Sequence, residues 1–169
     1  MGKLTWWFRI VGVIYVGLGI SWLPFANAPK LEQVIPNFDG AIRGTAYNGF
    51  LDWMVVFGLE MIVVGAFLLW ASRRPLRYLP VVGLIIALSA VRGIADDVYM
   101  IARGYPLASN LVFIALHTAI IVTGVLAARA AWRSSESDTA ASAGSVGTPG
   151  AAGAASGLAG APVSAPSAT

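Results

Sequence analysis

The sequence contains no cysteine and only one histidine in 169 residues. The missing thiols exclude disulfide bonds, thiolate metal sites and a cysteine nucleophile, and one imidazole argues against a histidine-rich zinc site. Walker, nucleophile-elbow and dinucleotide-binding motifs are also missing from the sequence. We therefore expect no metal and no cofactor.

Charged residues are also scarce, at 11% of the chain against about a quarter in average soluble domains. Hydrophobic residues make up 57%, and the mean hydropathy is +0.75. Eleven Lys and Arg with eight Asp and Glu are too few to cover a small globular protein with polar surface. The net charge of +3 does not indicate nucleic-acid binding, because the basic residues lie mostly at the ends of hydrophobic runs. The composition predicts a lipid bilayer as part of the solvent.

Four hydrophobic runs are each long enough to cross a hydrocarbon core of about 30 Å as a helix. They predict helices at about residues 6–23, 50–71, 78–102 and 110–132. Short connections make the last three helices antiparallel neighbours. The predicted fold class is therefore an all-α membrane protein, a four-transmembrane-helix antiparallel bundle, formed by residues 1–133.

Two long segments fall outside the predicted spans. Residues 26–48 contain prolines and glycines typical of a loop, with one short helix predicted at about 30–35. As the longest connection, this loop is either a lid or partner surface or a passive linker. Residues 134–169 consist mainly of Ala, Gly, Ser, Pro and Thr and are predicted to be a disordered tail. An alternative for residues 1–28 is a cleaved signal peptide, since Ala26-Asn27-Ala28 matches an A-x-A cleavage pattern.

The distribution of basic residues predicts an orientation with both termini in the cytoplasm. One side of the four-span arrangement carries Lys3, Arg9, Arg73, Arg74, Arg77, Arg129 and Arg133; the other carries Lys30, Arg43 and Arg103. All six tryptophans lie near predicted helix ends, where indole rings favour the headgroup region: Trp6, Trp7, Trp22, Trp53, Trp70 and Trp132.

Several ionisable residues lie inside the predicted spans, where contact with hydrocarbon is costly. A rise of 1.5 Å per residue places Glu60 and Arg92 at similar depths, about 15 Å from the outer end, with His117 near the level of Asp96. Arg92 and Asp96 are also spaced i,i+4, so they share a helix face. We expect Glu60, Arg92, Asp96 and His117 to form one polar cluster in the outer half of the bundle.

Two additions to this cluster follow from position. Tyr99 and Thr118 could supply hydroxyl groups. Asp97 is expected near an interface or a neighbouring helix instead, because adjacent helix positions diverge by about 100°. Two interpretations of the cluster stay open: a buried network that fixes helix register, or a pocket that binds a small molecule or transfers protons.

Five stretches of the sequence carry a family resemblance: LTWWFRIVG at residues 4–12, FGLE at 57–60, VRGIADDVY at 91–99, IARGY at 101–105, and His117-Thr118. Together they resemble the BphX-like family of small bacterial membrane proteins. The architecture is also similar to the broader DoxX-like group of four-helix membrane proteins. The resemblance covers residues 4–130. It implies a protein of the bacterial inner membrane, from a family associated with gene clusters for aromatic-compound degradation. It implies no catalytic residue.

Together these observations favour a non-enzymatic inner-membrane protein whose polar cluster binds a small ligand or supports a partner complex. The alternatives are a transporter or permease component for a small organic solute, and a membrane-embedded isomerase or quinone-linked oxidoreductase using Glu60, Asp96 or His117 for proton transfer. The expected partners are the lipid bilayer, a small-molecule ligand, and a second copy or another membrane protein. Nucleic acid is not expected.

Overall fold

A computed structural model of the protein describes residues 2–31 and 35–145. Four helices in this part are long and apolar enough to cross a membrane, which confirms the predicted all-α class. Their lengths and composition define a multi-pass membrane protein. The spans are Gly2–Ser21, Thr45–Ala71, Leu79–Ala102 and Leu107–Ser134.

The first two spans are single helices, α1 (Gly2–Ser21) and α3 (Thr45–Ala71). Between them lie a short helix, α2 (Pro24–Asn27), and a 3-10 turn (Ala28–Lys30). Pro24 and Pro29 each occupy the first turn of their element, where the missing N–H is not needed. Helix α2 was not predicted. The short helix predicted at about residues 30–35 falls largely on residues 32–34, which lie outside the described residues; Leu31 is helical, and its carbonyl oxygen accepts from the N–H of Ile35.

The third span changes its helical geometry halfway along. Helix α4 (Leu79–Leu88) continues into a π-helical segment (Ser89–Ala95) and then into helix α5 (Asp96–Ala102). A π-turn holds more residues than an α-turn, so side chains after it point in directions that a regular helix would not give them. The span ends at Gly104 (φ 86°), where the N–H groups of Gly104 and Tyr105 donate to Ile101 O and Met100 O.

Helix α6 (Leu107–Ser145) extends beyond the predicted end at residue 132. The alanines after Trp132 have high helix propensity, and a helix that has already formed extends at little cost. The first compact unit of the chain ends at Ser134, and residues 135–145 belong to a second unit. The predicted disorder of residues 146–169 concerns residues outside the described part.

Helices α1 and α3 pack in direct backbone contact through two glycine pairs. A Cβ on Gly19 would lie 2.6 Å from the carbonyl oxygen of Gly58, and a Cβ on Gly65 would lie 2.7 Å from that of Gly12. The two contacts are seven residues apart on each helix. Their order along α1 is the reverse of their order along α3. The two helices are therefore antiparallel, and small residues at their contact allow the close approach.

The half of the bundle that contains the N-terminus is filled with apolar side chains. Its buried core includes Leu4, Phe8, Leu68, Val82 and Ile120. Trp7 also belongs to it: the side chain is 5% exposed, and its indole N–H reaches Ile120 O (3.3 Å) and Thr123 Oγ1 (3.2 Å). The prediction of a headgroup position was wrong for Trp7, because its N–H finds acceptors on α6.

Candidate functional site

A cavity of about 430 Å³ occupies the half of the bundle away from the N-terminus. All four spans contribute to its wall, together with the connections that follow α1 and α5. Its polar lining consists of Tyr15, Ser21, Asn27, Glu60, Arg92, Asp96, Asp97, Tyr105, Ser109, Asn110 and His117. The four residues of the predicted cluster all lie in this wall.

Glu60 and Arg92 form an ion pair across the cavity wall, between α3 and the π-helical segment. Arg92 Nη1 donates to Glu60 Oε1 at 2.5 Å. The guanidinium also lies over the ring of Phe57, 4.5 Å from its centroid. The carboxylate neutralises the guanidinium, and the aromatic face gives it a further favourable contact.

Asp96 lies in the same wall but is not bonded to Arg92. Arg92 contacts Glu60 instead. Within residues 2–31 and 35–145, the structure shows no hydrogen bond or ion pair between Arg92 and Asp96. The i,i+4 argument fails here because Arg92 belongs to a π-turn, in which residues four apart do not stack as they do in an α-helix.

Asp97, which was expected near an interface or a neighbouring helix instead of in the cluster, also lines the cavity. The wider turn of the π-helical segment ends immediately before this pair and changes the direction in which both side chains point. Asp96 is exposed and Asp97 is half-buried. The cavity therefore has two adjacent carboxylates on one side.

His117 approaches the cavity from α6 and is 9% exposed. Its ring packs against Gly93, where any side chain would overlap the imidazole. Among the described residues, Nδ1 of His117 and Oγ of Ser89 are buried side-chain atoms without a hydrogen-bond partner. Nδ1 lies on the edge of the ring that packs against Gly93 and is closed to solvent, so a molecule in the cavity cannot reach it in this arrangement of the ring.

Aromatic and other apolar side chains complete the lining. Trp22 and Phe57 pack edge to face, with ring centroids 5.1 Å apart, and Phe113 lies in the wall from α6. Met61 and Met100 add flexible thioethers. The cavity thus combines a mainly apolar surface with a few polar groups, as small-molecule sites do.

The connection between α1 and α3 is fixed against the start of α3 and supplies part of the wall. The Tyr47 hydroxyl donates to Ala28 O at 2.9 Å, and Leu31 is fully buried. Asn27, which lines the cavity, lies 2.9 Å from the sulfur of Met54 through Nδ2. This segment is therefore packed against the bundle in the structure.

Sequence reasoning missed several lining residues and chose two wrong hydroxyl groups. Tyr99 is 61% exposed, and the Thr118 hydroxyl donates to Ile114 O of its own helix. Tyr15 is instead 6% exposed and lines the cavity, as does the buried Asn110. Both are polar residues within apolar helices, a signal that could have identified them.

The fold and the cavity define a small four-span membrane protein with a polar site enclosed by its helices. Residues 1–133 match the model of the BphX-like family, and the chain belongs to this family. It is 29% identical over 120 residues to an uncharacterized BphX-like protein of Burkholderia cepacia, covering 71% of this chain and 86% of the relative. A protein of the same description from Paraburkholderia xenovorans has the same identity and coverage. No solved structure matches the chain.

Proposed function

We propose that the protein binds a small organic molecule in this cavity, within the bacterial inner membrane. The observation that supports the proposal is a single cavity wall containing an ion pair, two further carboxylates and a buried imidazole. Ligand sites typically have volumes of about 300–1,000 Å³, and the cavity volume of about 430 Å³ is in this range. A network serving only to fix helix register would not need this space.

Binding is favoured over transport by the packing of the other half of the bundle. Beyond Tyr15, the centre is filled by the buried side chains of Val11, Phe8 and Ile120. A solute that enters the cavity therefore meets a close-packed apolar core. A transporter would have to open this core or use a second copy of the chain.

The orientation belongs to the same proposal. The end of the bundle opposite the cavity carries the exposed Arg73, Arg74 and Arg77 in the turn between α3 and α4. Exposed tryptophans lie near this end on α1 and α3, namely Trp6 and Trp70. From the preference of positive charge for the cytoplasmic side, we infer that both described ends of the bundle face the cytoplasm and that the cavity lies in the outer half. The relatives come from bacteria, which supports a bacterial membrane.

A pair of variants tests ligand binding. Val64 lines the cavity, whereas the adjacent Val63 is 67% exposed on the outside of the bundle. Val64→Trp fills the cavity, and Val63→Trp adds the same indole to the lipid-facing surface. The full chain is purified from a bacterial membrane, and small molecules retained by it are measured by native mass spectrometry.

We expect a retained molecule with the unmodified chain and Val63→Trp, and its loss with Val64→Trp. Thermal unfolding of all three proteins checks that they are folded. Equal retention by both tryptophan variants, or no retained molecule in any of the three, would contradict the proposal.

A further inference from the structure

The charges lining the cavity are unbalanced. Three carboxylates line it, those of Glu60, Asp96 and Asp97, and the cationic side chain among the described lining residues is Arg92. Arg92 is already paired with Glu60. The formal charge of the wall is therefore negative, and the excess lies on the two aspartates.

The engaged arginine is a poor site for an anion. A carboxylate or phosphate ligand would have to displace Glu60 from Arg92, leaving Glu60 as an additional unpaired charge beside Asp96 and Asp97. Separating a partly buried ion pair by removing one partner is costly. A cation instead gains from the aspartates without disturbing the Glu60–Arg92 pair.

His117 also lines the cavity, at 9% exposure, with the Nδ1 edge of its ring packed against Gly93. The aromatic lining gives a second, independent indication of the ligand. The aromatic rings of Trp22 and Phe113 add faces suited to a cation or to an apolar ring.

A metal ion fits these observations less well than an organic cation. Within residues 2–31 and 35–145, no three His, Asp, Glu or Cys side chains are grouped closely enough to hold a metal. The excess negative charge lies on one side of the cavity, in a wall that is otherwise largely apolar. Such a wall matches a molecule with a charged end and a hydrophobic body.

We infer that the cavity binds an organic cation, a protonated amine carried on an apolar or aromatic body. Its ammonium group lies against Asp96 and Asp97, and its body lies against the aromatic and methionine side chains. This inference rests on the proposed function, since it specifies the ligand class of the same cavity. Because the ligand is recognised by its charge, a neutral molecule of the same shape should bind more weakly.

Three ligands of nearly the same shape but different charge distinguish the effect of charge from the effect of shape. Benzylammonium, benzyl alcohol and benzoate are titrated at neutral pH into the full chain in phosphatidylcholine nanodiscs, with heat of binding as the readout. A zwitterionic lipid avoids general attraction of cations to the membrane surface. We expect benzylammonium to bind about tenfold more tightly than benzyl alcohol, because one charge-assisted contact contributes roughly that factor. Benzoate should bind most weakly.

The variant Asp96→Asn/Asp97→Asn should remove the preference for the amine, leaving the Kd values of the amine and the alcohol within about a factor of two. Asp52→Asn is the matched control, since Asp52 is exposed on α3 and does not line the cavity. It should retain the full preference. Asp97→Asn alone provides a milder variant if the double change impairs folding.

The outcomes separate this inference from the proposed function. Equal binding of all three ligands, tighter binding of benzoate, or no measurable binding of benzylammonium would overturn the organic-cation inference. The proposed function would still stand if Val64→Trp, but not Val63→Trp, released a retained molecule. An unchanged preference in Asp96→Asn/Asp97→Asn would also overturn the inference.

Discussion

At the scale of single residues, Arg92 connects two parts of the cavity wall, the π-helical segment and α3. Its guanidinium bonds to Glu60 on α3 and covers the ring of Phe57 on the same helix. The side chains of Arg92 and Glu60 are 36% and 48% exposed, so the pair lies at a surface facing the cavity or lipid. Its strength depends on how much water reaches the cavity.

The coupling between Glu60 and Arg92 can be measured with a double-mutant cycle. Glu60→Met and Arg92→Met should each lower the free energy of unfolding by about 1–3 kcal/mol, because each leaves a charge without its partner. The double variant should be less destabilised than the sum of the two. Unfolding in mixed micelles provides the measurement, with Asp52→Met as a control near the unmodified value. Additive effects would show that the pair contributes no coupling.

Gly93 tests the contact that positions His117. A Cβ at Gly93 would overlap the imidazole ring, whereas a Cβ at Gly83, in the preceding helix α4, has open space around it. Gly93→Ala should therefore lower the free energy of unfolding by about 1–3 kcal/mol through overpacking. Gly83→Ala should leave stability unchanged or raise it by up to about 1 kcal/mol through helix propensity. Equal thermal stability of the two variants would contradict this contact.

At the scale of elements, the contact between α1 and α3 depends on glycines, which have no side chain to hold the two backbones apart. Gly12, Gly19, Gly58 and Gly65 bring the two backbones together, although their spacing is seven residues and no GxxxG motif is formed. Tyr15 and Leu18 lie on α1 between these contacts and reach the cavity from there. The close approach therefore also fixes the α1 side of the site.

Two glycines on α1 form a matched pair for this contact. Gly19→Ala places a methyl group against the carbonyl oxygen of Gly58, whereas Gly17→Ala meets nothing within 4 Å. We expect Gly19→Ala to lose about 1–3 kcal/mol of stability and Gly17→Ala to lose none. Thermal unfolding in detergent compares them. A Gly19→Ala protein as stable as Gly17→Ala would refute the close packing of α1 on α3.

The π-helical segment acts at the same scale on the other side of the cavity. It places Arg92 towards Glu60 and Gly93 against His117, and it directs both Asp96 and Asp97 to the cavity wall. Asp96 and Asp97 both belong to α5 and are still about 100° apart around its axis, so the π-turn shifts the direction of both side chains together rather than the angle between them. The cavity thus depends on one local change of helical geometry.

Charge is distributed unequally over the whole molecule. Basic side chains are concentrated at the end opposite the cavity, where α1 begins and where α3 is joined to α4. The acidic side chains of the cavity, Glu60, Asp96 and Asp97, lie in the other half. This asymmetry favours one direction of insertion.

Because the chain contains no cysteine, single cysteines can report its orientation. Ala41→Cys lies in the connection between α1 and α3, and Leu76→Cys lies in the basic turn at the other end; both positions are exposed. A membrane-impermeant maleimide added to cells with permeabilised outer membranes should label Ala41→Cys and spare Leu76→Cys. Lysed cells should label both. The reverse pattern would show that the bundle is inserted in the opposite direction.

The sequence by itself determined the number of spans, their approximate ends and the identity of most polar residues inside them. Hydropathy is a sum over about twenty residues, so errors at single positions matter little. The extension of α6 to Ser145 and the position of the short helix α2 were not predicted, because element ends depend on a few local contacts.

Only the tertiary structure decided which polar groups share the cavity. The direction of a side chain depends on helical phase added up along the span, and the π-turn changes that phase before Asp96 and Asp97. The position of Tyr15 depends on glycine contacts between helices far apart in sequence. Phase and interhelical contact are properties of the packed bundle, so local composition could not specify them.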